Sequence, residues 1–161
     1  MKHCFAPLSD ARTRLLVLGS LPGEESLAQA RYYANPRNQF WRLIGKVVSM
    51  ELTPLDYEAR LAALLEAQVG LWDVIGSATR AGSLDTAIRD ASANDLQALV
   101  ATLPRLRAVA FNGGKAAAMG EPLLAGSGLQ LVRLPSSSPA LTWSYERKLA
   151  EWLRLRPFLS G

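Results

Sequence analysis

The segment RLLVLGSLPGEES (Arg14–Ser26) joins a short apolar run to a turn of glycine, proline and serine. The apolar run does not alternate with polar residues, which is typical of a strand covered on both faces, as in a parallel sheet. We predict strands at this run and at three later ones: RLLVLGS (Arg14–Ser20), VGLWDVI (Val69–Ile75), LRAVAFNG (Leu106–Gly113) and LQLVRLPS (Leu129–Ser136).

Helical patterns lie between and after these runs. They are QFWRLIGKVVSM (39–50), DYEARLAALLEAQ (56–68), SANDLQALVATL (92–103), GGKAAAMGEPLL (113–124) and SYERKLAEWLRLRPFL (144–159). Strands that alternate with helices imply right-handed crossovers. We therefore predict an α/β fold, a three-layer α/β/α sandwich with a central four-stranded, mainly parallel sheet. No repeat, low-complexity tract or linker interrupts the chain, so we expect residues 1–161 to form a single domain.

The composition is that of a globular protein, with 49% hydrophobic and 20% charged residues. The apolar runs are far shorter than the roughly 20 residues of a membrane span, and the N-terminus has no signal-peptide pattern. One cysteine, Cys4, and one histidine, His3, exclude an intrachain disulfide and disfavour a zinc site. We expect a cytoplasmic protein. The turn GSLPGEES lacks the spacing of a phosphate-binding P-loop, and we expect no metal or nucleotide cofactor.

The charge favours an anionic partner. The formal net charge is +4, and 14 of the 18 basic residues are arginine. The planar guanidinium fork of arginine suits phosphate oxygens and base edges. A GC-rich coding bias explains the arginine content equally well, so this observation leaves both interpretations open.

Four loops follow the predicted strands, where α/β sheets bind ligands. They are GSLPGEES, DVIGSATRAGSLD, NGGKAA and LPSSSPA, all rich in glycine, serine, proline or asparagine. Such loops let a ligand approach backbone N–H groups closely, although every α/β fold also needs turn residues there. A further unusual segment, YYANPRNQFW (Tyr32–Trp41), gathers four aromatic residues, two asparagines and an arginine within ten positions.

Together these segments resemble the uracil-DNA glycosylase superfamily, over about Leu16–Trp152. GSLPGEES resembles its first motif and LPSSSPA its second. The combination with NPRN-FW and LWDV…GSLD is most similar to the hypoxanthine (deoxyinosine) DNA glycosylase branch. The resemblance implies a monofunctional hydrolase of base-excision repair that flips a deaminated base out of DNA and releases it. Such an enzyme must unstack its target, because a base inside a duplex cannot be reached.

The resemblance also indicates where the catalytic group lies. Uracil enzymes carry an aspartate or asparagine before the first-motif proline and often a histidine at the head of the second motif; here these positions are Leu21 and Leu134. The hypoxanthine branch implies that Asn38 positions the attacking water. Asn38 is also a favourable helix N-cap, a role compatible with catalysis, and Asn35 is a nearby competitor.

Base binding falls by resemblance on the strand ends and the aromatic segment. Asp73 stands where uracil enzymes use an asparagine against the base edge, and a carboxylate accepts the N1–H of hypoxanthine or the N3–H of uracil. A structural Asp73 that bonds loop amides is the alternative. Tyr33, ahead of Tyr32, is the candidate for stacking on the base. The remaining base-binding candidates are Gly19, Ser20 and Asn112.

The expected partner is DNA, bound by a protein that the resemblance implies is monomeric. Candidates for contacts with the DNA backbone are Arg37, Ser136, Ser137, Ser138 and Lys115, with Arg31 and Arg42 beside the aromatic segment. Two rival functions stay open. One is a uracil or G·T/G·U mismatch glycosylase. The other is a non-catalytic DNA-binding or lesion-sensing protein, because Leu21 and Leu134 occupy the two usual catalytic positions.

Overall fold

The computed structural model describes residues 2–79, 83–85 and 88–160, and it contains seven strands and six α-helices within them. The strands are β1 (Lys2–His3), β2 (Leu15–Gly19), β3 (Val69–Asp73), β4 (Ile75–Thr79), β5 (Arg89–Ala93), β6 (Ala108–Asn112) and β7 (Gln130–Leu134). The helices are α1 (Glu24–Gln29), α2 (Phe40–Val48), α3 (Tyr57–Glu66), α4 (Leu96–Ala101), α5 (Gly114–Leu124) and α6 (Tyr145–Trp152), followed by a 3-10 helix (Leu153–Leu159). None of these helices is long and apolar enough to cross a membrane.

A four-stranded parallel sheet forms the centre of the fold, in the order β3-β2-β6-β7. Its central strand β2 has every residue buried. Leu15 and Val17 pack into one hydrophobic cluster, whereas Leu16 and Leu18 pack into another on the opposite face. The unbroken apolar run is explained by this two-sided burial, and the predicted α/β fold with its central parallel sheet is confirmed.

Helices cover both faces of the sheet. Phe40 of α2, Leu64 of α3 and Trp152 of α6 belong to the first cluster. Leu96 of α4 and Ala116 of α5 belong to the second. Each fully buried leucine or phenylalanine contributes roughly 1.5–3 kcal/mol of transfer free energy, so the two clusters fix the sheet and its carboxyl edge in place.

The structure differs from the sequence prediction after β3. The strand predicted at Val69–Ile75 ends at Asp73. The segment predicted as the loop DVIGSATRAGSLD contains β4, which joins β1 and β5 in a three-stranded antiparallel sheet. The small residues of IGSAT lack the alternation that marks a strand. Residues 80–82 of that predicted loop lie outside the described residues. The helix predicted from Ser92 begins only at Leu96, because Ser92 belongs to β5. The Asp95 carboxylate caps this helix by accepting from Ala98 N–H.

Candidate active site

Three strands end at one cavity of about 610 Å³. Gly19, Asp73 and Asn112 are the last residues of β2, β3 and β6, and parallel strands bring their carboxyl ends to the same edge. The predicted site residues found in the lining are Gly19, Ser20, Tyr32, Tyr33, Arg37, Asn38, Asp73, Asn112, Ser136, Ser137 and Ser138. Lys115 is absent from the lining; it is half-buried in the first turn of α5.

The floor of the cavity requires a glycine at position 19. A Cβ atom there would lie 2.7 Å from Asp73 Oδ1 and 3.1 Å from the Tyr33 hydroxyl oxygen. Only a hydrogen leaves room for both groups beside the end of β2. Asp73 is 4% exposed, so its carboxylate sits deep in the cavity.

Tyr33 forms a supported aromatic wall. Its backbone adopts a left-handed conformation with φ of 54°, and its ring stacks on Phe40 at 3.9 Å between centroids and 14° between planes. Burial and then the nearby Asp73 carboxylate raise the pKa of the Tyr33 hydroxyl, which therefore stays protonated at neutral pH. Tyr32 also borders the cavity, but it is 6% exposed and packs into the first core cluster, and its hydroxyl donates to the Ala6 carbonyl at 2.9 Å.

Ser137 joins three segments of the site. The Asn112 amide accepts a hydrogen bond from Ser137 N–H and donates to Ser137 Oγ, both at 2.9 Å. The Ser137 carbonyl accepts from Gln39 N–H at 3.0 Å, directly after Asn38. The same Asn112 Nδ2 lies 3.3 Å from the Tyr33 hydroxyl. Ser137 is 1% exposed and Asn112 is 6% exposed, so these bonds are shielded from water.

Replacing Asn112 with alanine is expected to lower the free energy of unfolding by about 1–3 kcal/mol, because the buried Ser137 N–H loses its acceptor. Urea denaturation measures the change. Gln97→Ala is the control, since that exposed amide makes one bond to the Leu123 carbonyl. Equal stability losses in the two variants would contradict the proposed role of Asn112 in holding the loop.

Asn38 lies at the entrance to α2 and faces the cavity. Its side-chain Oδ1 accepts from Phe40 N–H at 3.0 Å, while its own N–H donates to the Asn35 carbonyl. The Phe40 N–H donor fixes the orientation of the Asn38 amide, because only the amide oxygen can accept a hydrogen bond. Oδ1 keeps a second lone pair, and Nδ2 makes no hydrogen bond to a described residue. The N-cap of α2 is Gln39, so the prediction of Asn38 as the N-cap is wrong: its amide instead closes a turn on the first N–H of the helix. The same amide is also available to a bound water.

The two leucines occupy the positions expected from the motifs. Leu21 lines the cavity and is 6% exposed, whereas Leu134 is 4% exposed and packs into the first core cluster. Neither side chain can form a hydrogen bond. The Ser20 hydroxyl donates to Asp85 Oδ1 at 2.6 Å, and this bond joins the end of β2 to the segment around Asp85. Within residues 2–79, 83–85 and 88–160, no cluster of His, Cys, Asp or Glu could hold a metal ion.

Lys148 is a buried cation that the sequence pattern did not reveal. It is 1% exposed on α6, and its Nζ donates to the carbonyl oxygen of Ser138 at 3.0 Å. Burial lowers the pKa of the Lys148 ammonium group. The helical pattern SYERKLAEW gives this lysine no signal that separates it from a solvated one. Lys148 thus supports the second-motif loop from beneath.

Replacing Lys148 with methionine is expected to flatten the pH dependence of stability. The folded chain binds this proton less tightly than the unfolded chain, so wild-type stability gains from rising pH between the lowered pKa and about 10.4. Urea denaturation from neutral pH to about pH 10 measures the difference between the two proteins. Lys46→Met, at an exposed position, is the control and should follow the wild type. A Lys148→Met profile parallel to the wild-type profile would be the contrary result.

Comparisons with known proteins identify the family and several relatives. The family model of the uracil DNA glycosylase superfamily matches residues 6–158. A hypoxanthine DNA glycosylase of Methanosarcina acetivorans is 41% identical over 152 residues, which cover 94% of this chain and 96% of that protein. One of Methanosarcina barkeri is 39% identical over 151 residues, which cover 94% and 95%.

A solved structure is similar along its whole length. It is the solution NMR structure of a Methanosarcina acetivorans protein provisionally designated a uracil DNA glycosylase, with 40% identity, a TM-score of 0.89 and 99% of each chain covered. The family model spans nearly the whole sequence, and the two hypoxanthine DNA glycosylases are similar over the same length. The chain therefore belongs to the uracil DNA glycosylase superfamily.

Proposed function

We propose that this protein is a monofunctional DNA glycosylase that hydrolytically releases hypoxanthine from DNA. The observation that carries the proposal is the deep cavity at the strand ends, with the buried Asp73 carboxylate at its floor, in a chain about 40% identical to hypoxanthine DNA glycosylases. A flipped nucleotide would enter this cavity, because chemistry at a base requires taking the base out of the stack.

Base recognition rests on Asp73 and Tyr33. The carboxylate accepts the N1–H of hypoxanthine, whereas adenine presents a bare acceptor at N1 that a carboxylate repels. The Tyr33 ring, backed by Phe40, offers a flat surface on which the base stacks. Its neutral hydroxyl can donate a hydrogen bond to an acceptor of the base or of a bound water. Gly19 makes the floor thin enough for these groups to approach.

Hydrolysis needs a placed water. In the proposed step the water oxygen bonds to the sugar C1′ while the bond from C1′ to the base breaks. The bonding electrons leave with the base, and the base gains the proton that the water loses. Because an oxocarbenium-like sugar demands little nucleophilic push, orienting the water suffices without a strong base. The second lone pair of Asn38 Oδ1 would accept a hydrogen bond from that water.

Arg37 and the second-motif loop would hold the strand. Arg37 is exposed at the cavity rim. Ser136 and Ser138 line the same cavity from the second-motif loop. Ser137 contributes through its buried bonds, which place the loop against the Asn38 segment. Lys115 would reach a more distant phosphate. We infer a monomer that acts on DNA in the cytoplasm, as a single domain without a cofactor.

An abasic-site assay tests the function. Purified protein is incubated with four duplexes, each carrying one deoxyinosine, deoxyuridine, deoxyxanthosine or mismatched thymidine, and is then treated with alkali. We expect cleavage at deoxyinosine. Cleavage at deoxyuridine alone would replace the substrate with uracil, which Asp73 also accommodates through N3–H. No cleavage of any duplex would contradict the glycosylase function.

A further inference from the structure

A second cavity of about 470 Å³ lies on the other side of the aromatic segment. Tyr32, Tyr33, Asn35 and Asn38 line both cavities, so this segment is the wall between them. The second cavity has no role in the chemistry proposed above. Its lining includes three arginines, which are Arg31, Arg42 and Arg60.

Each of these arginines lies over an aromatic ring. The guanidinium carbon of Arg31 is 5.3 Å from the centroid of the Tyr57 ring, and that of Arg42 is 3.9 Å from the centroid of the Tyr145 ring. Arg60 lies 5.3 Å from the Trp41 ring centroid. These cation–π contacts restrain the guanidinium groups. A guanidinium ordered before binding loses less entropy when it meets an anion.

The charges around the cavity are unbalanced. Among the described residues Asp56 is the one acidic residue in the lining, and its carboxylate caps α3 by accepting from Ala59 N–H at 2.8 Å. Arg31 and Arg42 are exposed, and within the described part of the chain neither forms an ion pair with a carboxylate. Arg60 is partly engaged, since it donates to the Leu52 and Thr53 carbonyl oxygens. Arg31 and Arg42 are therefore available to a ligand.

We propose that this second cavity binds the phosphodiester backbone of the damaged strand, next to the flipped nucleotide. The inference rests on the proposed function. A nucleotide held in the first cavity keeps its neighbouring phosphates near the rim of the shared wall, and the strand must leave the site along one side of that wall. The exposed arginines on the far side supply paired N–H donors for phosphate oxygens. Tyr57 and Tyr145 hold those donors in place.

The salt dependence of DNA binding tests the proposal. The Kd for a duplex carrying a tetrahydrofuran abasic-site analogue is measured over a range of salt concentrations, so that no turnover intervenes. In the double variant Arg31→Ala, Arg42→Ala, the slope of log K against log salt should shrink by about 1.8, about 0.9 for each lost phosphate contact. Kd should rise about tenfold at low salt. Arg105→Ala is the matched control, because Arg105 is exposed before β6 at the opposite edge of the sheet.

Several results would overturn the proposal. A double variant with the slope and Kd of the wild type would remove the second cavity from DNA binding. Loss of inorganic phosphate binding in NMR titration, with an unchanged DNA slope, would make this a site for a free anion. If the alanine variant does not fold, Arg31→Met with Arg42→Met keeps the stems on their rings and gives the same test. Failure of the proposed function would look different, since the wild-type protein itself would release no base.

Discussion

Replacing Asn38 with alanine is expected to slow single-turnover release of hypoxanthine by about a hundredfold or more, because the attacking water loses the group that places it. The same substitution should cost about 1 kcal/mol of stability, since Phe40 N–H loses its acceptor. Rapid-quench kinetics at saturating enzyme measure the first effect and urea denaturation the second. The two readouts separate the catalytic role of Asn38 from its structural role in the turn before α2.

Two further variants sharpen that experiment. Asn38→Asp keeps an oxygen for both Phe40 N–H and water, so its rate should stay much nearer the wild type. Asn35→Ala tests the competing asparagine, whose side chain accepts from Arg37 N–H at 2.9 Å, and its rate should also stay near the wild type. If Asn38→Ala loses stability but keeps its full rate, Asn38 only closes the turn before α2. If Asn35→Ala loses the rate instead, the water belongs to Asn35.

Replacing Asp73 with asparagine is expected to reduce hypoxanthine release by about 10- to 100-fold, the loss of about 1.4–2.8 kcal/mol that accompanies removal of a charge-assisted hydrogen bond. An amide both donates and accepts, so discrimination against adenine should also weaken. Single-turnover rates on matched deoxyinosine and deoxyadenosine duplexes give the ratio, and the Kd for abasic-analogue DNA should change much less. An unchanged substrate profile would assign Asp73 a purely structural role.

The central sheet could be predicted from sequence because its strands are buried on both faces. β2 and β6 are apolar at nearly every position, and this composition indicates a parallel sheet. The convergence of three strand ends on one cavity could also be predicted, since the carboxyl ends of parallel strands share one edge of the sheet. For this reason Gly19, Asp73 and Asn112 could be grouped before any distance was known.

The small antiparallel sheet could not be predicted in the same way. β4 has the sequence IGSAT, whose small residues give neither a strand nor a helix period, and β1 has two residues. Its pairing is long-range, between Lys2–His3 and Ser77–Ala78. Such pairings depend on tertiary contacts that no local window contains.

The hydrogen-bond partners within the site could not be predicted from the sequence either. Three consecutive serines have identical side chains, yet only the middle one, Ser137, is buried against Asn112. Likewise nothing in the pattern of α6 distinguishes Lys148 from an exposed lysine. Tyr32 and Tyr33 are adjacent aromatics, yet the Tyr32 hydroxyl bonds to the Ala6 carbonyl, whereas the Tyr33 ring stacks on Phe40. These assignments depend on backbone geometry that emerges only in the folded chain.

The most direct measurement of the central claim follows the released base and the DNA strand together. The protein in excess is incubated with a deoxyinosine duplex, and free hypoxanthine is measured by mass spectrometry alongside strand integrity before and after alkali. We predict one hypoxanthine for each abasic site, an intact strand before alkali, and no adenine from a matched deoxyadenosine duplex. Absence of free hypoxanthine, or a strand already broken before alkali, would contradict hydrolysis by a water that Asn38 places.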